Sequence, residues 1–320
     1  MASIYPASDA ERSKWILERR PQREALDPWR PYAFFVEEEV SASGERVPVA
    51  AVFLTNRECP WRCLMCDLWR NTLADEVPAG AIPAQIDHAL EQLPPAREIK
   101  LYNSGSFFDP HAIPIDDYPA ISSKVNVFER VIVESHPALV GERTLMFRDL
   151  LSGRLEVAMG LEIVYPDVLA RLNKRMTLEQ FSAAAEWLRK NDIDLRVFIL
   201  IKPPFMDEAE AVEWAERSLD LAFDCGATAA SLIPTRGGNG ALEELERNGE
   251  FSPPQMQTIE AAVHYGLSLK RGRVFVDLWD LRTPQACPAC HNARVSRLGE
   301  MNRCQSILPP VFCDKCGAGA

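Results

Sequence analysis

No stretch of this 320-residue sequence is both long and apolar. The longest hydrophobic runs, at 49–54 and 197–201, are strand-sized, far short of the roughly 20 residues a membrane-spanning helix needs. Residues 1–30 are polar and lack the apolar centre of a secretory signal. A cytoplasmic location and no membrane partner are therefore expected. Internal repeats and low-complexity tracts are also missing. Positive charge is scarce: 35 Lys and Arg face 46 Asp and Glu, for a net charge of −11. That balance argues against a surface coated for nucleic acid. The deficit is uneven, since residues 1–30 carry six basic against five acidic side chains and residues 281–320 carry five against two. The middle is left at −15, so a polyanion is expected to touch the ends rather than the body.

With 47% hydrophobic residues, the chain can bury a large core. From about 47 to 280, short β-branched runs alternate with helix-sized amphipathic segments. The runs lie at 47–55, 98–102, 130–134, 155–163, 195–202 and 229–234. Helices are predicted at 83–93, 139–151, 178–191, 208–224 and 254–269. In the fourth, Ala211, Trp214, Ala215, Leu219 and Ala222 fall on one face. Six such units predict an α/β fold with a parallel sheet, a partial (β/α)6 barrel whose chemistry sits at the carboxyl ends of the strands. Three regions follow: a helical and irregular lead-in at 1–46, the barrel at 47–283, and a small Cys-rich appendage at 284–320.

The nine cysteines are clustered: three at 59, 63 and 66, five between 287 and 316, and Cys225 alone. Such clustering in a reducing compartment favours metal over disulfides. Directly after the first run comes Asn56-Arg-Glu-Cys59-Pro-Trp-Arg-Cys63-Leu-Met-Cys66-Asp-Leu-Trp69. Three thiolates on one short loop can ligate three irons of a [4Fe–4S] cubane. The lack of a nearby fourth leaves one iron open to an outside ligand, as catalytic metal sites generally keep one position open. Three structural thiols, or half of a zinc site, are the plainer alternatives.

This spacing resembles the signature of the radical S-adenosylmethionine (SAM) superfamily. The resemblance implies that the open iron chelates SAM and that electron transfer, from a donor such as flavodoxin or ferredoxin, cleaves SAM to a 5′-deoxyadenosyl radical. Met65 stands where the superfamily usually has an aromatic residue, and its thioether can pack against an adenine. After the second strand, Gly105 allows a close backbone approach between the hydroxyls of Ser104 and Ser106. In the superfamily such a segment contacts the SAM amino group. Asn103–Asp109 as Asn-Ser-Gly-Ser-Phe-Phe-Asp, Val133-Glu-Ser-His-Pro, Gly160-Leu-Glu with Asn173-Lys174, and Leu200-Ile-Lys-Pro-Pro-Phe look like strand-end segments of the elongator-like group. That group includes the radical subunit of archaeosine synthase, and the similarity covers most of 47–280.

At these ends, Glu162 is placed to accept a hydrogen bond from the SAM ribose, and Glu134 to hold a substrate amine. Lys202 would meet a carboxylate, and Ile233 and Pro234 would stack on the adenine. Structural salt bridges are the other reading of the three charges. The resemblance further implies C–N cleavage of a lysine adduct on a modified guanine of tRNA, beside a tRNA-binding partner subunit. A small amino-acid or nucleoside-like substrate is the alternative, and a non-enzymatic iron–sulfur or zinc-ribbon adaptor is the rival of another class. His88 and His264 read as surface or core residues, and Cys225 as a small buried hydrophobe.

Cys287-Pro-Ala-Cys290 and Cys313-Asp-Lys-Cys316 resemble the two knuckles of a zinc ribbon, in which four thiolates close a tetrahedral site. An auxiliary iron–sulfur cluster, with Cys304 and His291 as spare ligands, is the competing reading. Arg294, Arg297 and Arg303 fall between the knuckles, in what is expected to be a loop, as a solvated face or as phosphate contacts.

Overall fold

Runs rich in Val and Ile fold as strands, and the amphipathic segments between them cover the sheet's outer face. The computed structural model describes residues 3–281, 283 and 286–318. The expected boundary at Pro284, and Gly319 and Ala320, lie outside those residues. Among the described residues eight strands form one sheet in chain order. They are β1 (Ala33–Val40), β2 (Arg46–Phe53), β3 (Glu98–Tyr102), β4 (Arg130–Ser135), β5 (Arg154–Glu162), β6 (Asp194–Ile201), β7 (Ala229–Pro234) and β8 (Arg273–Val276). β1 runs antiparallel to β2, and β2 to β8 are all parallel. The helices are α1 (Asp9–Arg19), α2 (Ala81–Leu90), α3 (Tyr118–Val125), α4 (Glu142–Arg148), α5 (Pro166–Arg171), α6 (Leu178–Lys190), α7 (Glu208–Asp224), α8 (Ala241–Arg247), α9 (Met256–Leu269) and α10 (His291–Cys304).

Helix α6 shows how local sequence sets an element. Thr177 accepts the N–H of Gln180 while the Gln180 side chain accepts the N–H of Thr177, a reciprocal cap. Phe181, Ala184, Ala185 and Leu188 then recur on one face and are buried against the sheet. Burying Phe181 and Leu188 contributes about 2 kcal/mol each.

The sheet is a curled half-barrel, and its inner face shows why. Glu39 on β1 accepts hydrogen bonds from Arg196 on β6 at 2.7 and 3.0 Å, although the two strands are far apart in sheet order. Arg196 also donates to Glu156 at 2.7 Å, Arg273 on β8 donates to the same carboxylate at 2.8 Å, and Lys100 donates to Glu37 and Glu39. These charges form a buried ionic floor at the amino ends of the parallel strands. Burial disfavours ionisation of Glu156, but Arg196, Arg273 and Arg130 outweigh it and hold the carboxyl at about 2. Removing one partner of such a buried set typically costs about 3–5 kcal/mol.

All six expected strands are present. β1 and β8 add to them at the two edges, and β1 lies within the expected lead-in. Arg294, Arg297 and Arg303 are not in a loop but on α10, and they are engaged. Arg294 donates to Glu260 at 3.1 Å, Arg297 to the carbonyls of Leu308 and Pro309, and Arg303 to Glu300. Arg294 is also buried. Arg294 and Arg297 thus commit their donors to the fold, which contradicts a phosphate-contact role for these two, while Arg303 pairs with Glu300 on the surface.

Candidate active site

The loop carrying the three cysteines leaves β2 at the carboxyl end of the sheet, where the other strand-end loops converge on it. Leu64 donates its N–H to the carbonyl of Leu172 at 2.8 Å. Asn173 donates to the carbonyl of Arg62 at 2.7 Å, and Asn239 to that of Leu64 at 2.6 Å. Asn239 simultaneously caps α8 by accepting the N–H of Leu242 at 2.9 Å. Underneath, Leu64 packs in a second hydrophobic cluster with Tyr5, Trp15, Ile16, Leu242, Leu245 and Phe251. The N-terminal helix thus forms a base for the loop. Glu58, next to Cys59, accepts from Arg20 at 2.7 Å and pairs with Arg62 at 3.0 Å and with Arg23.

Cys59, Cys63 and Cys66 are all free thiols. Burial pushes each of them up to about 12, and their mutual repulsion adds to the shift. Ligation would take these protons, because only the thiolate binds metal. Their sulfurs do not gather at the spacing of a single ion; among the described residues only the C-terminal quartet does so. A cubane needs its thiolates farther apart than a single ion does, since each serves a different iron.

The segment after β3 lies against this loop. A Cβ on Gly105 would stand 3.2 Å from the Cβ of Cys59, so glycine is what lets the two backbones approach. Ser104 adopts a φ of 55°. Glu134, at the end of β4, accepts the N–H groups of Asn103 at 2.9 Å and Ser104 at 3.1 Å and so shapes the segment. The Ser104 hydroxyl meets Tyr32 Oη at 3.0 Å, and Ser106 Oγ meets Ser135 Oγ at 3.0 Å. Asn103 is fully buried, yet neither polar atom of its side chain has a partner. Such a group needs a ligand or water to satisfy it. Three free thiols, a glycine cradle and an orphaned amide fit a cluster with a polar co-ligand.

Glu162 sits at a register shift in β5 with a φ of 65°, in the left-handed region that disfavours a side chain. Its carboxylate pairs with the buried Lys174. A Cβ on Gly160 would collide with both groups, at 2.1 and 2.3 Å. Burial disfavours the Lys174 charge, but Glu162 and then Cys63 hold its pKa above the ordinary lysine value. Lys174 also positions the aromatic lining, because its carbonyl accepts His136 Nε2 at 3.2 Å while the His136 ring stacks on Trp61 at 3.7 Å. Burial, then Lys174, depresses His136 to about 3, so the ring is neutral.

The remaining expected residues are distributed as follows. Met65 is partly buried between the two hydrophobic clusters. Ile233 and Pro234 end β7. Lys202 donates to the carbonyl and hydroxyl of Ser252 at 2.7 and 2.5 Å and pairs with Glu208 at 3.3 Å, which ties the end of β6 to neighbouring segments. Asn239 is a loop-holding residue that sequence reasoning overlooked. Its signal was available in Gly238-Asn-Gly before a helix, an N-cap pattern.

The C-terminal quartet does assemble. Cys287, Cys290, Cys313 and Cys316 hold their sulfurs within 4.8 Å of one another, while Cys304 and His291 stay outside the group. The N–H groups of Lys315 and Cys316 draw the Cys313 thiol down to about 7. Four soft donors at this spacing fit one thiophilic ion.

No family model matches the chain. It is 24% identical over 254 residues to an uncharacterized protein of Methanocaldococcus jannaschii, covering 74% of this chain and 70% of that one. It is 26% identical over 230 residues to archaeosine synthase subunit beta of Methanosarcina acetivorans, covering 68% and 66%. The Thermococcus kodakarensis protein of the same name is 28% identical, with 60% and 62% covered. The chain thus spans about two thirds of the length of these curated relatives. In three dimensions it is similar to Elp3 of Methanocaldococcus infernus, with a TM-score of 0.50 at 14% identity, over 68% of this chain and 57% of the other.

The curled half-barrel is similar in fold to Elp3, and the cysteine loop and glycine segment at its strand ends resemble the signature of radical SAM proteins. Within that class, the chain resembles archaeosine synthase subunit beta.

Proposed function

We propose that the chain is a radical SAM enzyme that acts on a tRNA base carrying a lysine adduct and cleaves a C–N bond to release the modified base. The observation that carries the radical SAM part is the packing of Gly105 against Cys59 at the strand ends. An adaptor has no use for a glycine that brings a second loop against one cysteine of an open three-thiol set. Cys59, Cys63 and Cys66 would hold the [4Fe–4S] cluster. Met65, the 104–106 segment, Glu162, Lys202, Ile233 and Pro234 are the proposed SAM contacts, and Lys174 and Asn103 join them on geometry. Held there, such a cluster would supply the one-electron reduction that opens bound SAM and so provides the hydrogen-abstracting chemistry, while these residues would hold SAM beside it.

The protein's own part is positional. Glu134 fixes the glycine segment, Lys174 holds Glu162, and Asn173 and Asn239 hold the backbone of the cysteine loop in place. The names of the relatives support the tRNA substrate and a partner subunit. The acidic body supports the partner too, since phosphate neutralisation dominates nucleic-acid affinity. A flavodoxin or ferredoxin would be the electron donor, zinc would occupy the C-terminal quartet as a structural ion, and the cytoplasm would keep the thiols reduced.

The experiment is to give reduced, reconstituted protein SAM and tRNA bearing the lysine adduct, with and without a tRNA-binding partner, and to digest the tRNA for nucleoside mass spectrometry. Conversion of the adduct to the released formamidine base is expected. Unchanged adduct, while a small amino acid or nucleoside stimulates deoxyadenosine formation, overturns the tRNA reading.

A further inference from the structure

Above the ionic floor, the interior of the half-barrel is walled by aromatic rings. Phe53 on β2 and Tyr102 on β3 stand side by side with ring centroids 5.9 Å apart, one inward step above Lys100. Phe198 on β6 meets Tyr102 at 6.2 Å, although their strands lie three apart in the sheet, so both rings point inward. The positions flanking Phe198 are small, Gly160 on β5 and Ser231 on β7. Phe53, Tyr102, Phe198 and Ser231 are only half-buried. The Ser231 hydroxyl has no hydrogen-bond partner among the described residues. Solvent thus reaches the space these side chains line.

One charge of the floor is accessible in the same way. Lys100 donates to Glu37 at 2.7 Å and to Glu39 at 3.0 Å, which places both carboxylates on the inner face of β1. Glu39 is buried and takes two further donors from Arg196. The Glu37 side chain is 41% exposed, and its one cation among the described residues is the shared Lys100, itself only 7% exposed. A ligand in this space therefore meets a carboxylate and not an ammonium group. Glu134 is the other inward carboxylate, but its Oε2 already holds the N–H groups of Asn103 and Ser104 beside the cysteine loop. A half-exposed carboxylate below aromatic rings suits a compact cation on an alkyl stem. The rings cover the methylenes and attract the charge, and the carboxylate pairs with it.

We propose that the interior between Glu37 and the Phe53, Tyr102 and Phe198 rings is a pocket for an aliphatic primary amine, whose ammonium group Glu37 accepts. This rests on the reading above and deepens it, because a lysine adduct on a base carries such a group at its free amino-acid end. Glu37 is a specificity residue here: it anchors the far end of the arm while the cluster loop stands over the near end.

L-norleucinamide, an alkyl chain with one ammonium group, tests the pocket by calorimetric titration into the reconstituted protein. N-acetyl-L-norleucinamide is the neutral probe with the same chain. Wild type should bind the ammonium probe saturably and at least about tenfold more tightly than the neutral one. Glu37→Gln, which still accepts from Lys100, should lose at least about tenfold, as loss of a hydrogen bond between charged groups does. Ser231→Leu fills the space from the facing strand without touching Glu37 and should abolish binding. No saturable binding by wild type, equal affinity for the neutral probe, or unchanged affinity in either variant overturns the pocket. SAM cleavage is scored separately on the same preparation. Glu37-dependent binding without 5′-deoxyadenosine would sink the reaction reading and leave the pocket standing. Deoxyadenosine without Glu37-dependent binding would do the reverse.

Discussion

Glu134 shows how one side chain serves the site while costing the fold. Burial pushes its carboxyl from the ordinary 4.5 up to about 7, against the pull of the Asn103, Ser104 and Gly105 N–H groups. As pH rises through that window, the unfolded chain's carboxyl ionises before the native one. The native state therefore binds the proton more tightly, and its relative stability falls from about pH 4.5 until the loss is complete above pH 7. The full window is worth about 3 kcal/mol. Glu134→Gln keeps an acceptor for the segment but cannot ionise. Denaturant unfolding at pH 5 and pH 8, in the same metal state, should show wild type losing stability relative to Glu134→Gln; parallel behaviour contradicts the assignment. At this scale the sequence was legible where a motif is local: the three cysteines, Gly105 and Glu162 stand at the strand ends where they were expected. Glu134, expected at a strand end either to hold a substrate amine or to pair structurally, also shapes the backbone of the next loop, which its residue type does not announce. Asn239 reaches Leu64 across most of the chain, and only a folded structure brings the two together.

Among the elements, α10 is the one whose role a sequence hides. Its side-chain amides complete the edge of the sheet. Asn302 accepts the N–H of Val276 at 2.9 Å and donates to its carbonyl at 2.8 Å, and Gln305 does the same for Val274 at 2.7 and 2.9 Å. An unpaired strand edge invites association with other chains, and here two amides close it. Leu298 and Met301 fix the helix in the main core. Asn302→Ala with Gln305→Ala removes the four hydrogen bonds to the strand edge and a fifth from Gln305 to the Asn302 carbonyl, at a cost of about 1 kcal/mol each, and should speed hydrogen exchange at the Val274 and Val276 amides. Unaltered exchange there would mean that the amides do not protect the edge. Six of the parallel strands were readable because each is a short run rich in Val, Ile, Leu or Ala between turn-forming or helical segments. β1 was not, since Glu37-Glu38-Glu39 reads as solvated; only the curl of the sheet supplies Lys100 and Arg196 to Glu37 and Glu39. β8 has only four residues, too few for a pattern. α10 is polar along most of its length, so its few apolar anchors gave little sign that it was a helix.

Taken whole, the molecule is a half-barrel closed below by paired charges and loaded above with the groups that would do chemistry. The N-terminal helix supports the cysteine loop, and the C-terminal helix covers the sheet edge beside the aromatic side. Among the described residues no helix is long and apolar enough to cross a membrane. The central claim is that Cys59, Cys63 and Cys66 hold a cluster that opens SAM, and it is tested most directly by product analysis. Wild type and the Cys59→Ala, Cys63→Ala, Cys66→Ala triple variant are reconstituted anaerobically, assayed for iron and sulfide, reduced and given SAM. Wild type should carry a four-iron cluster beyond whatever metal the C-terminal quartet retains, and should yield methionine and 5′-deoxyadenosine. The triple variant should lose both cluster and product. Equal iron in the two proteins, or a full cluster in wild type with no more 5′-deoxyadenosine than the variant makes, contradicts the claim.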